Sequence, residues 1–257
     1  MTRADRWGTL AARLGANRND YRIAPGLYCV GKPDGQSPVL VSANYKLSFD
    51  VLRLHLKGID AWILVVDTNG INVWCAAGKG TFSTLEVAER VKSTELEKIV
   101  AHKRLILPQL SATGVAARPV QTMCGFKVVW GPVNAKDIKV FLENGMETTA
   151  AMRKVTFSFK VRLELVPVEL NQMGKPTLYM LPIFFILSGI GASLFSLDAA
   201  VSRGMIAFGA YILAVLAGAV MTPALLPWVP GTAFAFKGTI PGGVAGVLLS
   251  VVFVHQL

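Results

Sequence analysis

Ala61-Trp62-Ile63-Leu64-Val65-Val66-Asp67-Thr68-Asn69-Gly70, followed closely by Asn72-Val73-Trp74-Cys75-Ala76-Ala77-Gly78-Lys79, decides the fold of this chain. The first run is apolar at nearly every position, as a strand covered on both faces requires. It stops at Asp67 and a Thr68-Asn69-Gly70 turn. That turn hands the next residues to the strand's carboxyl end, where open α/β sheets bind ligands. Cys75 therefore falls where chemistry is expected.

Working upstream, residues 38–42 read as a strand and 45–57 as a helix with Leu47, Val51 and Leu54 on one face, ended by Gly58. Strand, helix and strand in that order predict a parallel sheet. Downstream, Ser83-Thr84-Leu85-Glu86 and Thr94-Glu95-Leu96-Glu97 have capping-box spacing and predict helices over 84–92 and 95–102. Strands are expected at 105–107 and 126–130, and a helix over 135–143 closed by Asn144-Gly145. Three loops should share the edge that carries Cys75: Ser42-Ala43-Asn44, Thr113-Gly114-Val115 and Gly131-Pro132-Val133. As ordinary strand-to-helix turns they would look no different.

Residues 1–37 form a basic segment with Arg3, Arg6, Arg13, Arg18 and Arg22. Trp7, Leu10 and Leu14 recur at helical spacing and predict a short amphipathic helix. A Gly/Pro-rich stretch follows, read as an extended loop with Cys29 packed beneath it. An α/β domain is assigned to 38–170. Within it, residues 155–165 alternate strictly, Val155, Phe157, Phe159, Val161, Leu163 and Leu165 against polar neighbours, which predicts a half-buried strand.

The chain has 257 residues, 53% of them hydrophobic, and a formal net charge of +10. Beyond Pro176 its acidic and basic residues are limited to Asp198, Arg203 and Lys237. A soluble first part and a membrane part over 176–257 are expected, with full spans at 176–197 and 204–226 and a shorter third at 240–257. Gly189, Gly191, Gly209 and Gly218 would allow close helix packing there. Arg153, Lys154, Lys160, Arg162 and Lys175 precede the first span and by the positive-inside rule hold the N-terminal part in the cytoplasm. The expected location is thus the inner membrane, multi-pass. Scattered basic residues without a recognised motif argue against nucleic acid. Cys29, Cys75 and Cys124 cannot all pair and show no C-x-x-C spacing, which fits a reducing compartment. The polar N-terminus has no apolar run of a secretory signal.

Extended to Gly80-Thr81-Phe82, the Cys75 octapeptide resembles the signature of the HgcA family, membrane-anchored corrinoid proteins of microbial mercury methylation. Asn44-Tyr45-Lys46-Leu47, Leu107-Pro108-Gln109-Leu110, Gly114-Val115-Ala116-Ala117 and Val129-Trp130-Gly131-Pro132 also look like blocks of that family. The resemblance runs from about Asn44 to the C-terminus. It implies a Rossmann-like, mostly parallel α/β corrinoid-binding domain followed by transmembrane helices, more of them than this chain shows. It further implies that the Cys75 thiolate is the lower axial ligand of cobalt in a cobalamin-type corrinoid, and that Asn72, Val73, Trp74, Ala76, Ala77, Gly78 and Lys79 belong to the binding segment. Asn44, Gly114, Val115 and Gly131 would contact the corrinoid from the neighbouring loops. The implied reaction is methyl transfer to Hg(II), with a methyl-donor methyltransferase and a ferredoxin-like iron–sulfur protein of the HgcB type as partners.

The residues themselves suit such a role. Thiolate sulfur is a soft donor for polarizable metals, an axial thiolate donates electron density to its metal, and Ala76, Ala77 and Gly78 leave room for a flat macrocycle. Lys79 supplies a nearby cation, which favours a thiolate. Gly78-Lys79-Gly80-Thr81 is not a phosphate loop, since G-x-x-x-x-G-K-[ST] needs Gly where Val73 stands. None of His55, His102 and His255 lies in the Asp-x-His-x-x-Gly run of the other corrinoid class. Two other readings stand beside mercury methylation. One is a corrinoid methyl carrier of acetyl-CoA metabolism, similar to the large subunit of the corrinoid iron–sulfur protein. The other is a non-catalytic thiol carrier of soft metal, which would need a second thiol near Cys75.

Overall fold

The structure, a computed structural model, describes residues 2–192 and 194–254. The chain divides into two compact units, the first Met1–Ala12 with Asn17–Val155 and the second Arg13–Ala16 with Thr156–Leu257. The first is α/β. Its strands are β1 Gly26–Val30, β2 Val39–Ala43, β3 Ala61–Val66, β4 Arg104–Leu107 and β5 Lys127–Trp130, and its helices are α1 Arg3–Arg13, α2 Lys46–His55, α3 Val73–Lys79, α4 Thr84–Ser93, α5 Leu96–Ile99, α6 Ala117–Cys124 and α7 Ile138–Glu143. The sheet order is β1-β3-β2-β4-β5. β3, β2, β4 and β5 run parallel, while β1 lies antiparallel along β3.

Alternate residues of these strands enter two separate cores, which is why the strands read as continuous apolar runs. Val39, Val41, Leu64, Val66, Leu105 and Leu107 pack with Phe82, Val87, Val91 and Val120 on one face. Leu40, Ile63, Val65 and Ile106 pack with Phe49, Leu52, Leu56, Ile138 and Phe141 on the other. The parallel strands reverse their order between β2 and β4. At such a switch point the flanking loops diverge and leave a crevice outside the carboxyl ends.

Several expectations need correction. α2 buries Phe49, Asp50 and Leu52, whereas Leu54 is exposed. The difference arises because a second face of α2 is used by charge, Asp50 accepting from Lys46 and Arg53. The stretch read as a loop contains β1, and Cys29 on it is exposed, opposite Trp62. β1 has no strong pattern of its own and gains its order from pairing with β3. α6 was not anticipated. Its Pro119 falls in the first turn, where a missing N–H costs nothing, and Gly125 closes it in the left-handed region at φ 78°. The helix expected to reach His102 ends at Ile99, and the His102 ring lies beyond it with Nε2 2.9 Å from the Ser37 carbonyl. His55 is on α2 and exposed, as read, and His255 lies outside the described residues.

In the second unit the alternating stretch is not a strand. Phe159–Leu163 forms helix α8, its first turn capped by Ser158, whose hydroxyl accepts from the Val161 N–H, while the Arg162 side chain donates to the Phe157 carbonyl at 2.6 Å. Period-two patterning needs a partner strand, and this segment pairs with none among the described residues. α9, Val166–Gly189, contains Pro176 and Pro182 and ends where Ile190–Gly191 and Leu194–Phe195 pair as a short hairpin, β6 and β7. The span expected at 176–197 is therefore interrupted. α10 Leu197–Leu216, a π-turn Ala217–Met221, α11 Thr222–Leu225 and α12 Phe234–Val254 follow. By length and composition, Leu197–Leu225 and Phe234–Val251 are each apolar enough to cross a membrane. Two such helices do not establish a multi-pass arrangement. Of the glycines expected to permit close packing, Gly189 does so against Phe195, whereas Gly191, Gly209 and Gly218 have open space around them and Gly204 packs on Phe185 instead.

Candidate functional site

The path from β3 into α3 is fixed by one buried side chain. Asn44, just past the end of β2, is 3% exposed. Its Oδ1 accepts from the Thr68 N–H at 3.0 Å and the Gly70 N–H at 2.9 Å, and lies 2.8 Å from the Thr68 hydroxyl. Its Nδ2 donates to Asp67 Oδ1 at 2.9 Å. Asn69 and Gly70 take consecutive left-handed conformations, φ 56° and 73°, which Asn and Gly adopt most readily. Asp67 is tied onward, its N–H donating to Glu86 Oε1 at 2.7 Å while Arg90 pairs with the same carboxylate.

α3 then begins with an N-cap. Asn72 Oδ1 accepts from the Cys75 N–H at 3.0 Å, satisfying one of the open donors of the first turn. The helix stops at Gly80, left-handed at φ 77°, and the Thr81 and Phe82 N–H groups both turn back to the Ala76 carbonyl. Ala76, Ala77 and Phe82 are buried and seat the segment on the core. Gly114 makes this seating possible. A Cβ there would stand 2.4 Å from the Phe82 carbonyl oxygen and 2.9 Å from Ala77 Cα.

What remains on the outer side of α3 is Trp74, Cys75, Gly78 and Lys79, all exposed. Open space lies where a Gly78 Cβ would be. The thiol therefore stands exposed at the carboxyl edge of the sheet, between Trp74 and Lys79 and with open space at Gly78. Val73 packs partly against the core, Val115 is buried with its N–H bonded to Ser111, and Gly131 is buried against Ile106. The sequence-chosen residues thus fall into two groups. Trp74, Cys75, Gly78 and Lys79 share the open face, whereas Asn44, Ala76, Ala77, Val115 and Gly131 are buried beneath the edge and Gly114 packs against the segment from below. Asn72 caps α3 between them.

Spacing alone would have revealed one role, because Asn three residues before a helical position is an N-cap signal. The hub formed by Asn44 had no such signal, since its partners lie 23 to 26 positions away. Cys29 and Cys124 are free thiols. Both lie at the amino edge of the sheet, Cys29 opposite the second residue of β3 and Cys124 at the end of α6 leading into β5, whereas Cys75 is at the carboxyl edge. Cys124 is half-buried and donates to the Val120 carbonyl, and burial pushes its pKa up. Among the described residues no three His, Cys, Asp or Glu side chains gather as metal ligands.

Residues 16–142 match the family described as CO dehydrogenase/acetyl-CoA synthase delta subunit. Part of the chain is similar to curated proteins named acetyl-CoA decarbonylase/synthase complex subunit gamma. The match to that of Methanopyrus kandleri is 34% identical over 128 residues, 49% of this chain and 27% of the relative. For Archaeoglobus fulgidus it is 31% identical over 128 residues, with the same shares of 49% and 27%. The subunit gamma 2 of Methanosarcina thermophila is 34% identical over 125 residues, 46% of this chain and 26% of the relative. The chain thus spans about a quarter of the length of the curated relatives it matches.

Proposed function

We propose that the first unit binds a cobalamin-type corrinoid against the outer face of α3 and serves as a methyl carrier in one-carbon metabolism. The observation that carries this reading is Cys75, exposed at the carboxyl edge of a parallel sheet with open space beside it at Gly78. Similarity to subunits of the acetyl-CoA decarbonylase/synthase complex supports the metabolic setting. The residues present fit the cofactor. A soft sulfur donor is present at Cys75, Gly78 leaves open space beside it, and Lys79 lies one helical turn from the thiol. When bound, the corrinoid would supply the metal that carries the methyl group. Asn72, Gly80 and Phe82 hold the donor in place, and Asn44 and Gly114 hold the loops that carry it.

A second reading concerns the acceptor, and one observation favours it. The exposed Cys75 and its neighbours are the part of the chain that resembles the mercury-methylation family, so Hg(II) is proposed as the acceptor. A ferredoxin-like partner of the HgcB type and a methyl-donor methyltransferase would then act with the chain. The first unit would be the corrinoid domain, in the cytoplasm, with Leu197–Leu225 and Phe234–Val251 as its anchor in the inner membrane. The thiol-carrier reading is disfavoured, because neither other cysteine shares an edge with Cys75.

The test loads the full chain with methylcorrinoid and follows absorption and methyl transfer, for the wild type and Cys75→Ala, with Hg(II) and ferredoxin supplied. An absorption spectrum that changes in Cys75→Ala with loss of methylmercury formation supports both readings. A changed spectrum without Hg(II) methylation in either protein supports the one-carbon carrier alone. Identical spectra would remove Cys75 as the ligand.

A further inference from the structure

Helix α1 is attached to the protein by the side that a surface helix normally leaves in water. Asp5, its one acidic residue, points inward and accepts from Lys46 Nζ at 2.7 Å and Arg53 at 3.1 Å, both on α2. These same two cations hold Asp50, whose side chain is 1% exposed. Gly8 fits against Tyr21, whose hydroxyl would lie 2.6 Å from a Cβ there, and Ala12 is 1% exposed. Opposite this docked face, Trp7 is 71% and Leu10 45% exposed, and Leu14, four residues on, is exposed too. Arg3 and Arg6 flank the stripe and are exposed. An amphipathic helix held by its polar side, with its apolar side turned out, is prepared for an apolar surface other than its own core.

We propose that α1 lies on an anionic lipid bilayer, with Trp7 and Leu10 in the interfacial layer and Arg3 and Arg6 against the headgroups. The inference rests on the membrane-anchored reading, which places such a surface within reach. Charge selects the occupant. With Asp5 turned inward, the outward face carries cations and no acid, which complements anionic headgroups. Trp is also the side chain that settles at the boundary between headgroups and hydrocarbon.

The test uses the full chain in liposomes of phosphatidylcholine with phosphatidylglycerol, and of phosphatidylcholine alone, with quenching of tryptophan emission by lipids brominated on the acyl chain. Subtracting Trp7→Phe from wild type isolates Trp7, and subtracting Trp228→Phe isolates a tryptophan just beyond Leu225. Circular dichroism confirms that both variants stay folded. The expected result is a blue-shifted, quenched Trp7 signal in anionic vesicles, most of it lost in phosphatidylcholine alone and in Arg3→Gln/Arg6→Gln. If Trp228 is quenched while Trp7 remains red-shifted and open to aqueous acrylamide, the anchor stands and the inference fails. If Trp7 is shielded from acrylamide but untouched by brominated lipid, a protein covers it and the inference also fails. If neither tryptophan is quenched and the chain does not float with the vesicles, the membrane reading fails and takes the inference with it.

Discussion

Replacing Asn44 with Ala removes the acceptor of two buried N–H groups, those of Thr68 and Gly70. Each buried donor left without a partner costs about 1–3 kcal/mol. Part of the loss is offset, because the Thr68 hydroxyl keeps the Ile71 carbonyl at 2.7 Å and Asp67 keeps the Asn69 N–H at 2.9 Å. A net local cost of about 3 kcal/mol follows, which corresponds to roughly a hundredfold in the opening equilibrium of the segment. Hydrogen exchange read by mass spectrometry on the full chain should show peptides spanning 67–82 exchanging about a hundredfold faster, while peptides from α7 keep their rate. Asn44→Asp makes a sharper control. It keeps the acceptor for both N–H groups but sets a carboxylate against Asp67 in place of the amide donor, so its defect should ease in acid. Wild-type exchange over 67–82 in Asn44→Ala would refute the hub role, as would acceleration spread evenly over the whole unit.

Gly114→Ala forces backbone against backbone at Phe82 and Ala77, and should destabilise the first unit by about 1–3 kcal/mol and weaken corrinoid retention, both measurable by thermal melting with cofactor present or absent. Docking of α1 should depend on pH at both extremes. Asp5 is held below its ordinary value of 3.8, first by the Lys46 hydrogen bond, so its contribution is present above that value and is lost as pH falls through the lower folded value. Burial works against the charge of Lys46, but bonds to Asp5 and Asp50 outweigh it and raise its pKa above 10.5, so its contribution is present below 10.5 and is lost as pH rises through the folded value. Exchange protection of α1 should therefore be flat through neutral pH and fall at either end, and Asp5→Asn should abolish the acid limb. Alkylation with iodoacetamide at neutral pH should modify the exposed Cys29 and Cys75 well before Cys124, whose thiol burial keeps protonated. Equal labelling of all three would contradict that placement.

The apolar run 61–66, the helix start at Ser83 and the break at Gly58 were open to a reader of the sequence, because burial on two faces, side-chain capping and positive φ are local requirements, whereas helix α3 at Val73–Lys79 was not read from it. The position of Cys75 at the carboxyl edge followed from the same rules. Pairing partners were not legible. β1 forms because β3 offers an edge, and 155–165 does not form a strand because no segment among the described residues pairs with it, although its alternation is the clearer pattern of the two. Local composition likewise overstated the span at 176–197, which a hairpin interrupts after Gly189.

The sequence by itself determined that a thiol follows a buried strand on a segment of small residues. Only the tertiary structure decided which neighbouring residues face outward with it and which support it from below, because that division depends on contacts such as Asn44 with Gly70 and Gly114 with Phe82. It also turned the polar side of α1 inward. Amphipathic spacing tells which residues share a face, and a partly buried ion pair formed with a distant helix settles which face is docked.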